Sequence, residues 1–374
     1  MIDKESSLRL KLLRFPAIIG VVYVHAYGTT VNYAGGTLGL VETNGLTEFI
    51  RNLLSQGLAR IAVPLFFLMS GYLFFANFRW SKKTYVEKLQ TRLRSLLVPM
   101  VFWNILGLAL VALVQAWPSI QTIPYFIGKE NVIADYTLVQ YFNAILGLKW
   151  YPFAYHFWFI RDLILLALLA PVIAVILRFA ALPVFIVVYL CWVFGIWPLP
   201  EPVVMGWVFG GWPIVIPAAM GVFFFSAGAL CGINGQSLFA FDRFGKTAVL
   251  VYLPILLVDV ICYKAWFNPY LHRTGLIFGV AATLYATKLI MHHQWLQRTL
   301  VTLGSASFFV YAAHEPLLGI ARTFAFKYIP LDYPYTMLLL YLTIPVLVMA
   351  SLVLLHRVLM VYCPRALGVV TGGR

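Results

Sequence analysis

The chain has 374 residues, 62% of them hydrophobic and only 11% charged, with a mean hydropathy of +0.88. A soluble domain carries about a quarter charged residues, so this composition excludes an ordinary soluble core and indicates an all-α, polytopic membrane bundle in a single domain, 1–374. The net charge of +14 would suggest nucleic acid as a partner of a soluble protein, but here its distribution along the chain explains it better.

A membrane-spanning helix needs about 20 mostly apolar residues. Ten predicted spans meet this, centred on 10–28, 59–78, 95–116, 157–178, 181–198, 212–232, 246–264, 274–291, 304–325 and 336–356. The fourth and fifth are joined by a short turn before Pro183. Between the third and fourth lies a loop, 117–156, rich in Tyr, Trp and Phe, whose stretch 134–147 reads as amphipathic. With the N-terminus inside, the inner segments hold two-thirds of the Lys and Arg but under a third of the acidic residues, so positive-inside bias predicts both termini in the cytoplasm. The basic, then apolar N-terminus reads as an uncleaved start-transfer helix. Cys191, Cys231, Cys262 and Cys363 form no close pair and read as small apolar residues.

The first span, KLLRFPAIIGVVYVHAYG, contains Arg14 and His25. Ionisable groups in lipid are costly and mark function by default. Eleven helical steps are close to three turns, so both lie on one face, ~16 Å apart along the axis. The plainer readings are an Arg14 that snorkels to the headgroups, although Arg9 and Lys11 already flank the span, and a His25 hydrogen-bonded across helices. In the second span, Arg60 begins the helix, Pro64 is expected to bend it, and Ser70 and Gly71 interrupt the apolar run; small residues there also suit close helix packing. A basic segment follows, with Arg79, Lys82, Lys83, Lys88, Arg92 and Arg94. It serves either as a positive-inside stop signal or as a cradle for anionic phosphates, which the planar guanidinium fork suits.

The fourth span opens YHFWFIRDL. His156 and Trp158 suit an interfacial belt and Arg161–Asp162 a surface charge pair; the functional alternative places all four at an outer mouth where an acceptor arrives. Asp259 stands alone in the seventh span. In the ninth, SASFFVYAAHEPLL places His314 and Glu315 side by side before Pro316, an acid and a base that lipid exposure does not explain.

The ordered set resembles acyltransferase family 3, integral membrane enzymes that modify bacterial surface sugars. Its parts are the Arg14-to-His25 spacing, ARIAVPLFFLMSGYLFF, the basic run ending in LLVP, HFWFIRDL and FFVYAAHEPLL, and it covers residues 8 to 358. Arg14 and His25 match the family's first-span pair. Phe66, Phe67, Ser70 and Gly71 match its phenylalanine-rich motif, with Arg60 before it. Arg92 and Arg94 depart from the usual basic spacing, and Glu315 is inserted between His314 and Pro316 where the family has His-Pro.

The resemblance implies O-acetyl transfer in the cell inner membrane from cytoplasmic acetyl-CoA, a donor substrate and not a resident cofactor, to a glycan or lipid-linked saccharide. Membrane lipid is the other partner, with no nucleic acid and no metal. Arg14, Arg92, Arg94 and Lys88 would hold the acyl-CoA phosphates. His25 would be general base, or a transiently acylated nucleophile. Arg60, or Ser70 with a nearby amide, would stabilise the oxyanion, and Glu315 or Asp162 would orient a histidine. The rival class is a glycan or lipid-precursor transporter using the same intramembrane charges, for which an inverted repeat is expected and none is visible. A membrane sensor that keeps the fold without catalysis is a third reading.

Overall fold

The structure, a computed structural model, describes residues 2–33, 36–76, 81–116, 132–149, 151–196 and 217–373. Arg79, the first part of the aromatic loop (117–131), Trp150 and the stretch 197–216, which includes the start of the predicted sixth span, lie outside the described residues.

Helix α1 (Lys4–Ala26) begins at Asp3, whose carboxylate accepts from the Ser6 amide and hydroxyl, both at 2.7 Å. These bonds hold the Asp3 carboxyl below its ordinary pKa. Thr30–Tyr33 and Gly36–Gly39 then pair as a small antiparallel hairpin, the one departure from all-α among the described residues. Helix α2 (Gly45–Arg51) runs through a π-helical turn (Asn52–Leu58) and a 3-10 turn (Ala59–Ile61) into α3 (Ala62–Phe75). The irregular turns lie just before Pro64. Proline has no amide and its ring crowds the carbonyl four residues back, here that of Arg60, so the distortion falls on the N-terminal side of the ring.

Helix α4 (Lys82–Ala116) fuses the basic segment and the predicted third span into one rod. Helix α5 (Leu138–Leu146) is the expected amphipathic segment, closed by a Thr137–Gln140 capping box and by Gly147 in the left-handed region. Helices α6 (Trp158–Leu168) and α7 (Ala170–Val193) follow. α7 breaks at Ala180 (φ −142°, ψ 34°), where the short turn before Pro183 was expected. Then come α8 (Ala219–Ile233), a 3-10 segment (Leu238–Phe244), α9 (Gly245–Ile261), α10 (Asn268–Ile290), α11 (Gln294–Gly304), α12 (Ser307–Tyr328), α13 (Thr336–Tyr362) and α14 (Pro364–Thr371).

Among the described residues, five helical stretches are long and apolar enough to cross a membrane: Gly45–Phe75, Lys82–Ala116, Ala170–Val193, Leu238–Ile261 and Thr336–Tyr362. Helices α1, α10 and α12 have 22 or 23 residues, enough at 1.5 Å per residue to cross a hydrocarbon core of about 30 Å, but they carry charged side chains. Large apolar residues such as Leu113, Phe179, Leu182, Leu347 and Leu354 face outward from α4, α7 and α13, as a lipid-facing surface requires. Together these features make the chain a membrane protein. α1 lies centrally, packed on α3, α11 and α12.

Helices α3 and α8 touch backbone to backbone. A Cβ at Gly71 would meet the Phe225 carbonyl oxygen, one at Gly228 the Leu68 carbonyl oxygen, and one at Gly232 the backbone around Tyr72–Ala76. Gly228 and Gly232 are four residues apart, the spacing that lets membrane helices approach closely. Gly71 is therefore a packing residue.

Candidate active site

Arg14 on α1, Ser70 on α3 and Arg92 on α4 line a cavity of about 400 Å³. Along α1 the cavity runs from Leu10 to Ile18, ending about 10 Å short of His25 by helical rise. Its inner wall includes Phe159 and Tyr311. Tyr311 donates its hydroxyl to the His156 carbonyl at 2.7 Å, so the cavity wall also braces the segment beyond it.

There three histidines from distant parts of the chain converge. The His314 ring centroid lies 5.1 Å from that of His25 and 5.1 Å from that of His156, and His25 and His156 are 6.2 Å apart. His314 is 0% and His156 2% exposed, while His25 is half-buried. His314 Nδ1 donates to the Tyr311 carbonyl at 2.7 Å. Since a carbonyl only accepts, Nε2 of neutral His314 carries the lone pair, and it has no hydrogen-bond partner. Neither His156 ring nitrogen makes a hydrogen bond of acceptable geometry, although the Ala312 carbonyl acts on the ring. Pro316 lacks the amide that would bond Ala312 in a regular helix, which frees that carbonyl. Buried polar atoms without partners are rare in folded proteins, and two adjacent histidines carry them here.

On its other side, His25 Nδ1 lies 2.5 Å from the Tyr155 hydroxyl, which donates to Glu315 Oε1 at 2.8 Å. The end of α1 behind His25 is held by side chains from afar. Arg322 of α12 donates to the carbonyls of His25 (3.5 Å), Gly28 (2.6 Å) and Thr30 (3.2 Å). Arg51 donates to the Tyr27 carbonyl through Nε at 3.1 Å, and also through Nη2. Ser55 donates to the Tyr23 carbonyl at 2.5 Å. The orphan carbonyls of a helix C-terminus suit such cationic donors.

Other predicted site residues take different places. Arg60 holds Gln56 Oε1 at 2.9 and 2.6 Å, and its charge acts on His25. Lys88 caps α3, with Nζ 2.5 Å from the Phe74 carbonyl and 3.2 Å from that of Ala76. Arg94 is exposed and outside the cavity lining, so of the four residues expected to hold phosphates only Arg14 and Arg92 line the cavity. His156 is not at an open outer mouth but inside the histidine cluster. Trp158 is half-buried near Phe67, their rings 6.4 Å apart.

Arg161 and Asp162 are both buried and bound to each other at 2.9–3.0 Å. Arg161 also donates to the Gly147 carbonyl at 2.9 Å, and Asp162 accepts from the Ala218 amide at 2.9 Å. This pair ties the end of α5 to the start of α8 and presents nothing to an incoming acceptor. Asp259 has partners as well: His272 Nδ1 at 2.8 Å and Asn268 Nδ2 at 2.7 Å. Among the described residues, no three His, Cys, Asp or Glu side chains are grouped to hold a metal ion.

Sequence reasoning missed Tyr155, Arg51, Ser55 and Arg322 as parts of the site. Tyr155 directly precedes a histidine that the sequence did single out, so adjacency was the available signal.

The family model described as an acyltransferase domain matches residues 8–357. The succinoglycan biosynthesis protein ExoH of Rhizobium meliloti (strain 1021) is 25% identical over 386 residues, covering 100% of this chain and 94% of the relative. No solved structure matches the chain.

Proposed function

Because the chain belongs to the acyltransferase family, we propose that it is a membrane O-acyltransferase that moves an acetyl group from cytoplasmic acetyl-CoA to a hydroxyl of a cell-surface or lipid-linked glycan. The relative's name, which assigns it to succinoglycan biosynthesis, supports a polysaccharide acceptor. The observation that carries the reading is the cavity, with two arginines in its wall and Tyr311, a neighbour of the histidine cluster, at its inner side. Ten spans with both termini in the cytoplasm, in the inner membrane, is the topology that the basic residues favour. It turns the Arg14 end of α1 toward the cytoplasm, where CoA is found.

In this mechanism Arg14 and Arg92 hold the donor phosphates by charge-assisted forks. The pantetheine arm lies along the apolar wall of Phe66, Phe159 and Phe308, and the thioester reaches past Tyr311 toward His25. The acceptor approaches from the opposite side. His25 removes the hydroxyl proton as the oxygen attacks the thioester carbon. Arg60, whose charge acts at His25, stabilises the developing oxyanion. The C–S bond then breaks and the coenzyme thiolate takes up the proton that His25 removed, which returns His25 to its neutral form.

The test is transfer by purified protein in lipid, with labelled acetyl-CoA and extracted surface glycan, comparing wild type with His25→Ala. Wild type should label the glycan, and the variant should be slower by about 10³-fold, within the usual contribution of a general base. Acetyl-CoA that neither binds nor is consumed overturns the enzyme reading. An unchanged rate in His25→Ala removes His25 from the chemistry and leaves the enzyme reading standing.

A further inference from the structure

Resting on the proposed acyl transfer, we infer that Tyr155 is a positioning residue, the link through which Glu315 fixes the working tautomer of His25. A carboxylate only accepts hydrogen bonds, so the Tyr155 hydroxyl, 2.8 Å from Glu315 Oε1, spends its proton on the glutamate. The tyrosine oxygen is then an acceptor toward His25 Nδ1, 2.5 Å away, and that nitrogen must carry the hydrogen. Nε2 is left with the lone pair, the form a general base needs. Which ring nitrogen holds the proton is set by the bond the other makes, and a carboxylate in this role orients the imidazole and stabilises its charged form. Here the carboxylate acts at one remove. His314 and Arg60, which also act on His25, are neutral or cationic and supply no such stabilisation.

The segment carrying Tyr155 is built to hold it still. Ala154 donates its amide to the side chain of fully buried Asn104 at 2.8 Å. The His156 carbonyl accepts from Tyr311 at 2.7 Å, and Phe157 is 0% exposed. Tyr155 is thus fixed from both sides in a 3-10 turn while remaining 42% exposed itself. Glu315 is placed opposite by the helical turn before Pro316.

Two measurements on the full-length protein in lipid test the link. In the transfer assay, Tyr155→Phe and Glu315→Gln should each lower kcat by about tenfold or more, with KM for acetyl-CoA within twofold of wild type. The double variant should be no slower than the worse single one, because both changes break the same chain. A wild-type kcat in Tyr155→Phe, or effects that multiply, overturns the inference. The second measurement needs no turnover: carbethoxylation by diethyl pyrocarbonate, followed at individual histidines by mass spectrometry. Both single variants should slow modification of His25 about fivefold while exposed His293 reacts at the wild-type rate. Equal rates at His25 overturn the link even if acetyl-CoA is not the donor. Failure of transfer in the wild type would count against the proposed function alone.

Discussion

Arg9 and Arg14 stand five residues apart on α1 and are used in opposite ways. Arg9 is 2% exposed, with every nitrogen engaged: a fork onto Asp242 at 2.6 and 3.0 Å, Thr287 at 2.7 Å, the Leu284 carbonyl at 2.9 Å and the face of Phe239 at 3.8 Å. It fastens α1 to α10 and the 3-10 segment before α9, and so is not the flanking charge its position suggested. Arg14 is exposed to the cavity it lines with Arg92. A buried arginine with a full set of partners has no valence left for a ligand, whereas one in a cavity wall does. Partner count, more than depth along the helix, separates the structural cation from the one left open to a ligand.

Six substitutions would break or sharpen that contrast. The largest effect belongs to Arg9→Ala, which strands Asp242 and should lower folded-state stability by about 3 kcal/mol, the low end for breaking a buried pair; thermal unfolding in detergent reads it, and a melting point like wild type would refute the clamp. Next is Gly71→Ala, whose methyl meets the Phe225 carbonyl. It should cost about 2 kcal/mol by overpacking, while Ser70→Ala, one residue away, leaves the melting point unchanged. Arg14→Ala and Arg92→Ala should fold normally but weaken acetyl-CoA binding about tenfold each, roughly 1.4 kcal/mol, measured by equilibrium binding of labelled donor. Smallest is Arg94→Ala, for which binding should stay within twofold; a tenfold loss there would put the donor outside the cavity described.

Much of the helical framework was legible because its signals are local. The run 134–147 already showed its amphipathic face, and Pro183 marked the break that falls at Ala180. The site was legible only in part. Arg14, His25, Ser70, Arg92 and His314 stood out because polar groups in apolar runs are conspicuous, and they do gather around the cavity and the histidine cluster. Arg161 and Asp162 are just as conspicuous, yet they serve the fold, since their bonds to Gly147 and Ala218 depend on tertiary contacts. Tyr155 failed to stand out for the opposite reason. In a chain with 21 tyrosines, many of them suited to an interfacial belt, one more carries no signal until Glu315 is beside it.

The grip on the end of α1 bears on how such a protein comes to be made. His25 lies near the start of the chain, yet its backbone is held by Arg322, 297 residues later, and its ring by Tyr155. During synthesis Arg51 and Ser55 can claim the Tyr27 and Tyr23 carbonyls early, but those of His25, Gly28 and Thr30 must wait until α12 has emerged and docked. Contacts of such long sequence separation form late in folding. On the proposed mechanism, the nascent chain therefore gains a correctly aimed base only once α12 has docked, and an intermediate without it should be chemically silent.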